Sequence, residues 1–243
     1  MIKRAISTFL LVVSCCGTLM SATPSERSLI EHFNDKLAGE LTYAALKGNA
    51  KKMDAAIAAG ADINRKGDQG LTPLMVALLQ KNKNATLLLL KRKSNPNLQN
   101  DEGYSPMSEA AGYAKDSWFL ETLLKNGGNP NLNNEFKGRT LLFEAIDASS
   151  TVNINILLKA GANINYRENV TGDTPVLDAV IAREYDIVLY LLEAGADPTI
   201  KDHGGQTLIW WIQHMAFNLS PPFERDRQKV IDWLKQKRLW REE

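Results

Sequence analysis

The sequence is poor in the residues that support covalent or metal chemistry. It has two cysteines and three histidines among 243 residues. Cys15 and Cys16 are adjacent, so they cannot close a long loop, and the only bridge open to them is a strained vicinal one. Stability must therefore come from packing. His32, His203 and His214 share no spacing that suits a metal ion. No G-x-S-x-G, H-E-x-x-H or G-x-x-x-x-G-K-[ST] segment occurs. The apolar stretch from Ala5 to Val13 falls well short of the roughly 20 residues that span a bilayer. Neither sign of charge is in excess, with 29 basic and 28 acidic side chains. That balance argues against a nucleic-acid binder, which needs a basic footprint.

The start of the chain has the pattern of an export signal. Met1-Ile2-Lys3-Arg4 is a short positive segment, and the apolar stretch follows it directly. Val12-Val13-Ser14-Cys15 resembles a bacterial lipobox: aliphatic, any, small, cysteine. That resemblance implies lipidation of Cys15 and anchoring through several acyl chains, which hold where one does not. Sorting rules of the same kind favour the outer membrane, because Cys16 and not aspartate follows the anchor. Residues 1–15 then form the signal, 16–28 a flexible tether and 29–243 the folded domain. The tether from Gly17 to Ser28 is small and polar and reaches at most about 40 Å. Two alternatives remain open. Cleavage after Ser21 or Ala22 makes the signal 1–22 and leaves a soluble periplasmic chain, although Leu19 and Met20 are large for the −3 position. Translation from Met20 leaves a cytosolic chain without either cysteine. Loss of Lys3 and Arg4 leaves 27 basic against 28 acidic side chains, close to neutral.

Self-comparison finds a repeat. Ala56–Asn64 (AIAAGADIN) recurs at Leu89–Asn97, Leu123–Asn131, Leu157–Asn165 and Leu191–Thr199, with starts 33, 34, 34 and 34 residues apart. A second piece, GLTPLMVAL at Gly70–Leu78, recurs from Gly103, Gly138, Gly172 and Gly205. A period near 33 with G-x-T-P-L and LLxxGAxxN resembles the ankyrin repeat. The resemblance spans Leu37 to Leu239 and implies an all-α solenoid: helix, turn, helix, then an extended finger. Five to six repeats lie between helical N- and C-terminal caps. One unit cannot bury its own apolar face, so stacking makes the core. The residues agree. Thr72 and Thr174 are placed to cap a helix, with Pro73 and Pro175 in its first turn. Gly60, Gly127, Gly161 and Gly195 end helices where a left-handed residue is needed.

The ends and two departures carry further expectations. Ser28 with Glu31 fits a capping box opening a helix with Leu29, Ile30, Phe33 and Leu37 on its apolar face. Leu41–Asn64 follows as a repeat without the T-P pair. After Ser220-Pro221-Pro222, Arg225–Arg241 is expected as a last helix with Val230, Ile231 and Leu234 inward. Trp233 and Trp240, seven residues apart, are expected on similar faces of it. A polar cap is favoured there over a lipid-facing helix. The histidine of the family's T-P-L-H is absent, and Met75, Ser108, Phe143, Leu177 and Trp210 stand there instead. Lys93 replaces the helix-ending glycine of the second repeat, so that unit is expected to be the softest or its turn irregular.

One constellation appears when the repeats are aligned. The position after the histidine slot holds Val76, Glu109, Glu144, Asp178 and Trp211, and Asp147 adds a carboxylate one turn along. The family resemblance places this position on a concave surface. Neighbouring helices pack about 8–10 Å apart, too far for a carboxylate pair to share one substrate proton, and no nucleophile accompanies them. An acidic row that steers a basic partner is the better reading, with a solvated row of charges as the alternative. The fingers extend the candidate partner surface with Asp101, Glu102 and Tyr104, Glu135, Phe136 and Arg139, then Arg167 and Asn169, with Tyr113 between repeats. No catalytic group, metal or cofactor is expected.

An ankyrin stack in the bacterial envelope resembles the lipoprotein immunity proteins of type VI secretion phospholipase effectors. The resemblance implies a monomer that binds and neutralises a basic-surfaced toxin, and implies no enzyme activity. The alternative is a periplasmic scaffold or chaperone for a resident envelope enzyme.

Overall fold

A computed structural model describes residues 24–215 and 221–241. The signal, the lipobox and Cys15 lie outside the described residues. Among the described residues are thirteen α-helices, a single 3-10 turn at Asp68–Gly70, and one isolated β-bridge between Asn133 and Thr140. They divide into two compact units. The first holds the described residues up to Ala110 together with Trp118–Asn129. It contains α1 (Glu26–Phe33), α2 (Lys36–Leu46), α3 (Ala50–Ala58), α4 (Pro73–Leu79), α5 (Lys83–Lys91), most of α6 (Pro106–Ala111) and α7 (Trp118–Lys125). The second holds Ala111–Ser117 and the described residues from Pro130. It contains α8 (Leu141–Asp147), α9 (Thr151–Lys159), α10 (Pro175–Ile181), α11 (Tyr185–Glu193), α12 (Leu208–His214) and α13 (Pro221–Gln236).

Local chemistry sets these boundaries. Thr72 Oγ1 accepts from Met75 N at 3.3 Å, Ser105 Oγ from Ser108 N at 3.1 Å and Thr207 Oγ1 from Trp210 N at 3.2 Å. Thr174 stands at the same place with Pro175 after it, yet its hydroxyl makes no cap bond and is buried without a partner. Three of the second helices, α3, α5 and α9, have side-chain caps of their own, which the repeat pattern alone did not announce. Asn49, Asn82 and Ser150 accept from the amides of Lys52, Ala85 and Asn153. The repeated leucines Leu89, Leu123, Leu157 and Leu191 are fully buried, each contributing about 1.5–3 kcal/mol of apolar burial.

Left-handed residues punctuate every repeat. Gly60, Gly127, Gly161 and Gly195 take φ between 91° and 102° at the end of the second helix, and Lys93 takes 68° at the same place. The Lys93 turn is regular. Its amide donates to Leu90 O at 2.9 Å and Ser94 N donates to Leu89 O at 3.1 Å, matching Gly60 and Ala61 in the preceding repeat. The irregularity expected there is absent, because the surrounding helices hold lysine in the conformation glycine would adopt. Lys93→Gly should therefore raise stability by up to about 1 kcal/mol, measured by urea unfolding.

Asparagine joins repeat to repeat. Asn64 Oδ1 accepts from Asn95 N at 2.9 Å and Asn97 Oδ1 from Asn129 N at 2.8 Å in the first unit. In the second, Asn131 Oδ1 accepts from Asn163 N at 2.7 Å and Asn165 Oδ1 from Asp197 N at 2.9 Å. The recurring asparagine thus ties down the next turn, while Asp62, Asn95 and Asn163, two places earlier, accept from the amides of Asn64, Asn97 and Asn165 within the turn itself. One repeat is longer within its pair. Leu89 follows Thr72 by 17 residues, whereas Leu123 follows Ser105 by 18. Buried Asn153 holds the start of the longer turn through Nδ2, which donates to Ala111 O at 2.9 Å and Tyr113 O at 3.2 Å.

The ends correct four expectations. Ser25 caps α1, accepting from Ser28 N at 3.1 Å, so the helix opens three residues before the Ser28 box. Left-handed Asn34 and the Asp35 cap end that helix, and Leu37 therefore belongs to α2. The last helix starts at Pro221, since proline lacks only an amide that a first turn leaves unused, and ends at Gln236. Arg238 turns left-handed (φ 59°), which puts Trp240 past the helix and off any face shared with Trp233. Val230, Ile231 and Leu234 face inward as expected. Gly39 serves close approach in the N-terminal cap, where a Cβ would sit 2.6 Å from the Cα of Ile30.

Candidate protein-binding surface

In the second unit, four of the expected residues converge. The finger ahead of α8 is a short hairpin in which Asn133 bridges Thr140 and Asn134 N donates to Arg139 O at 2.9 Å. This hairpin sets Arg139 at the base of the helix. Its guanidinium lies 4.6 Å from the ring centroid of Phe143, which fills one of the histidine slots and is fully buried. Both oxygens of Asp178 accept from it, at 2.9 and 3.0 Å, and Asp147 accepts a further bond at 2.9 Å. Arginine suits this role because its planar fork matches a carboxylate and keeps its charge when desolvated. Burial works against the Arg139 charge, but Asp178 and Asp147 outweigh it and hold the group above its usual value.

Glu144 completes the cluster. It is half-buried, and three carboxylates here face one guanidinium. Burial and then Asp147 raise its pKa to about 7, against the pull of Arg139 and Lys137. At neutral pH Glu144 is therefore poised between its neutral and charged forms. The side chain of Asp178 is only 5% exposed, whereas Asp147 is 58% exposed. In the next repeat Trp211 donates its indole N–H to Asp202 at 2.9 Å, and Trp210 stacks on His214 at 4.0 Å.

The remaining expected residues are dispersed. In the first unit, Glu109 is half-buried, Val76 and Tyr104 are buried, and Asp101 and Glu102 are exposed. In the second, Tyr113 is half-buried, and Glu135, Phe136, Arg167 and Asn169 are exposed. Val76, Tyr104 and Asp178 thus offer a partner little surface of their own, while Glu144 and Asp147 do. Repeat alignment missed the fact that Arg139 reaches across 39 residues to neutralise Asp178; a lone arginine directly before Thr140, the residue that precedes α8, was the available signal. Among the described residues no group of three or more His, Cys, Asp or Glu side chains is placed to hold a metal ion. His32 is buried beside Asp68, His203 is exposed on a finger and His214 is exposed on α12.

A family model of ankyrin repeats (three copies) matches residues 41–134 and 107–202. The chain belongs to the ankyrin-repeat family. The crystal structure of the ankyrin-repeat protein EF0377 is similar, with a TM-score of 0.66 and 26% identity, covering 80% of this chain and 97% of that one. No curated protein matches the chain. Ankyrin repeats indicate a protein-binding scaffold.

Proposed function

We propose that this ankyrin-repeat protein is an envelope lipoprotein, anchored through Cys15, that binds and neutralises a secreted antibacterial effector of phospholipase or lipase type. The observation that carries the binding part is the Arg139 cluster. Arg139 is locked to Asp178 and packed on fully buried Phe143, and it holds Asp147, so the three carboxylates around this one guanidinium leave an excess of negative charge. A basic patch on a partner would meet a preorganised acidic surface, which favours fast, selective association. The export signal, the lipobox resemblance and the repeat type support the envelope and immunity parts.

Affinity purification of the full chain from its host, after exposure to competing cells, is expected to recover one stoichiometric lipase-like hydrolase. Glu144→Gln with Asp147→Asn is expected to weaken that complex about tenfold at low salt and less at high salt. An unchanged affinity would remove the acidic cluster from the interface. Recovery of a resident envelope enzyme instead would replace immunity with the scaffold role.

A further inference from the structure

Two fingers of the second unit are built alike and end in the same unusual way. In the first, the Asn134 side chain is buried and its Oδ1 accepts from Phe136 N and Lys137 N, both at 2.9 Å. In the second, the buried Glu168 side chain accepts from Val170 N at 2.8 Å and from the amide and hydroxyl of Thr171. Each turn therefore fixes the residue two places on at its apex, and in both fingers that residue is apolar. Phe136 is 69% exposed and Val170 71%, more than any other large apolar side chain among the described residues. The two fingers are neighbours: a Cβ on Gly138 would lie 2.9 Å from Asn169 Nδ2, and one on Gly172 would lie 2.6 Å from His203 of the next finger.

The charges around these apices are sorted by sign. Glu168, Asp173 and Asp202 are 5, 6 and 8% exposed, and each accepts hydrogen bonds inside its own finger or from α12. Arg167, Lys201 and His203 are exposed. Glu135 is the exposed carboxylate of the set, with Lys137 two residues away. The outward face of these fingers is thus cationic around two projecting apolar side chains. Projecting apolar tips gain free energy in a medium that closes around them, and flanking cations select one with negative charge. We infer that Phe136 and Val170, flanked by Arg167 and Lys201, dock the second unit on an anionic lipid surface. This goes beyond the protein-binding reading and does not rest on it, because no residue of the Arg139 cluster takes part. It is also separate from anchoring at Cys15.

The test uses the full chain carrying Phe136→Trp, with the parent chain subtracted so that the native tryptophans cancel. Brominated vesicles of phosphatidylethanolamine with phosphatidylglycerol are expected to quench the introduced indole, and phosphatidylcholine vesicles to require at least about tenfold more lipid. An acyl anchor would bring the chain to both vesicle types, so the difference reports the fingers. Adding Arg167→Glu and Lys201→Glu is expected to raise the anionic lipid requirement about tenfold or more. Adding Val170→Ser is expected to raise it several-fold on both vesicle types, roughly in line with the loss of one inserted apolar side chain. All these positions are exposed finger residues outside the helices, so the fold is expected to persist, with circular dichroism as the check. An indole that stays in water on anionic vesicles, or that is buried only when a protein partner is added, overturns the inference. Equal quenching on both vesicle types overturns the role of the cations and with it the anionic partner.

Discussion

Arg139→Met is expected to cost about 3–5 kcal/mol of stability, read from the urea midpoint at constant slope. Arg139 supplies both hydrogen bonds that its guanidinium makes to the nearly inaccessible Asp178, at 2.9 and 3.0 Å. Methionine keeps much of the apolar contact with Phe143 but leaves Asp178 charged, desolvated and without its cation. That uncompensated burial, rather than the lost attraction, makes the cost large. The companion variant separates the two. Arg139→Met combined with Asp178→Leu removes both charges and is expected to recover most of the loss, since a buried pair often adds little over an apolar replacement. Asp147 is different. It is more than half exposed, and Asp147→Asn should cost no more than about 1 kcal/mol. A loss below about 1 kcal/mol for Arg139→Met alone would mean that Asp178 finds water, and that the cluster is not rigid.

The legible parts of this fold are those written in one repeat. The Thr-Pro starts, the paired leucines and the glycine stops are short-range signals, and they placed the helices and the core. What was not legible depends on two segments meeting. Asp178 reads as one member of an exposed acidic row until the finger is folded and Arg139 drops onto it. Glu144 reads as an ordinary carboxylate until burial and Asp147 act on it together. The left-handed turns between paired helices were hidden for another reason. Gly48 marks one of them, but Lys81, Ser149 and Arg183 fill the others at φ 49°, 50° and 64°, so no glycine announces the conformation. The asparagines that join successive repeats were visible in the sequence only as part of the recurring segment. Their side-chain bond to the following repeat explains why the residue recurs as Asn64, Asn97, Asn131 and Asn165.

Glu144 ties stability to pH in a direction opposite to that of most carboxylates. Its folded value is about 7, above the ordinary 4.5. Between those values the folded protein holds a proton that the unfolded chain has released. The stability contributed by the protonated group is therefore fully present below about pH 4.5 and is lost as pH rises through about 7. Glutamine mimics the protonated form. Glu144→Gln is thus expected to raise stability by about 2–3 kcal/mol near pH 8 and to change it little near pH 5, measured by urea unfolding at both. A gain of equal size at the two pH values would mean that the substitution acts through packing and that Glu144 is not the titrating group. The same proton connects stability with recognition. A basic partner binds the ionised carboxylate better, so its arrival expels the proton, and affinity is expected to rise between pH 6 and pH 8. Glu144→Gln should flatten that rise while making the free protein more stable.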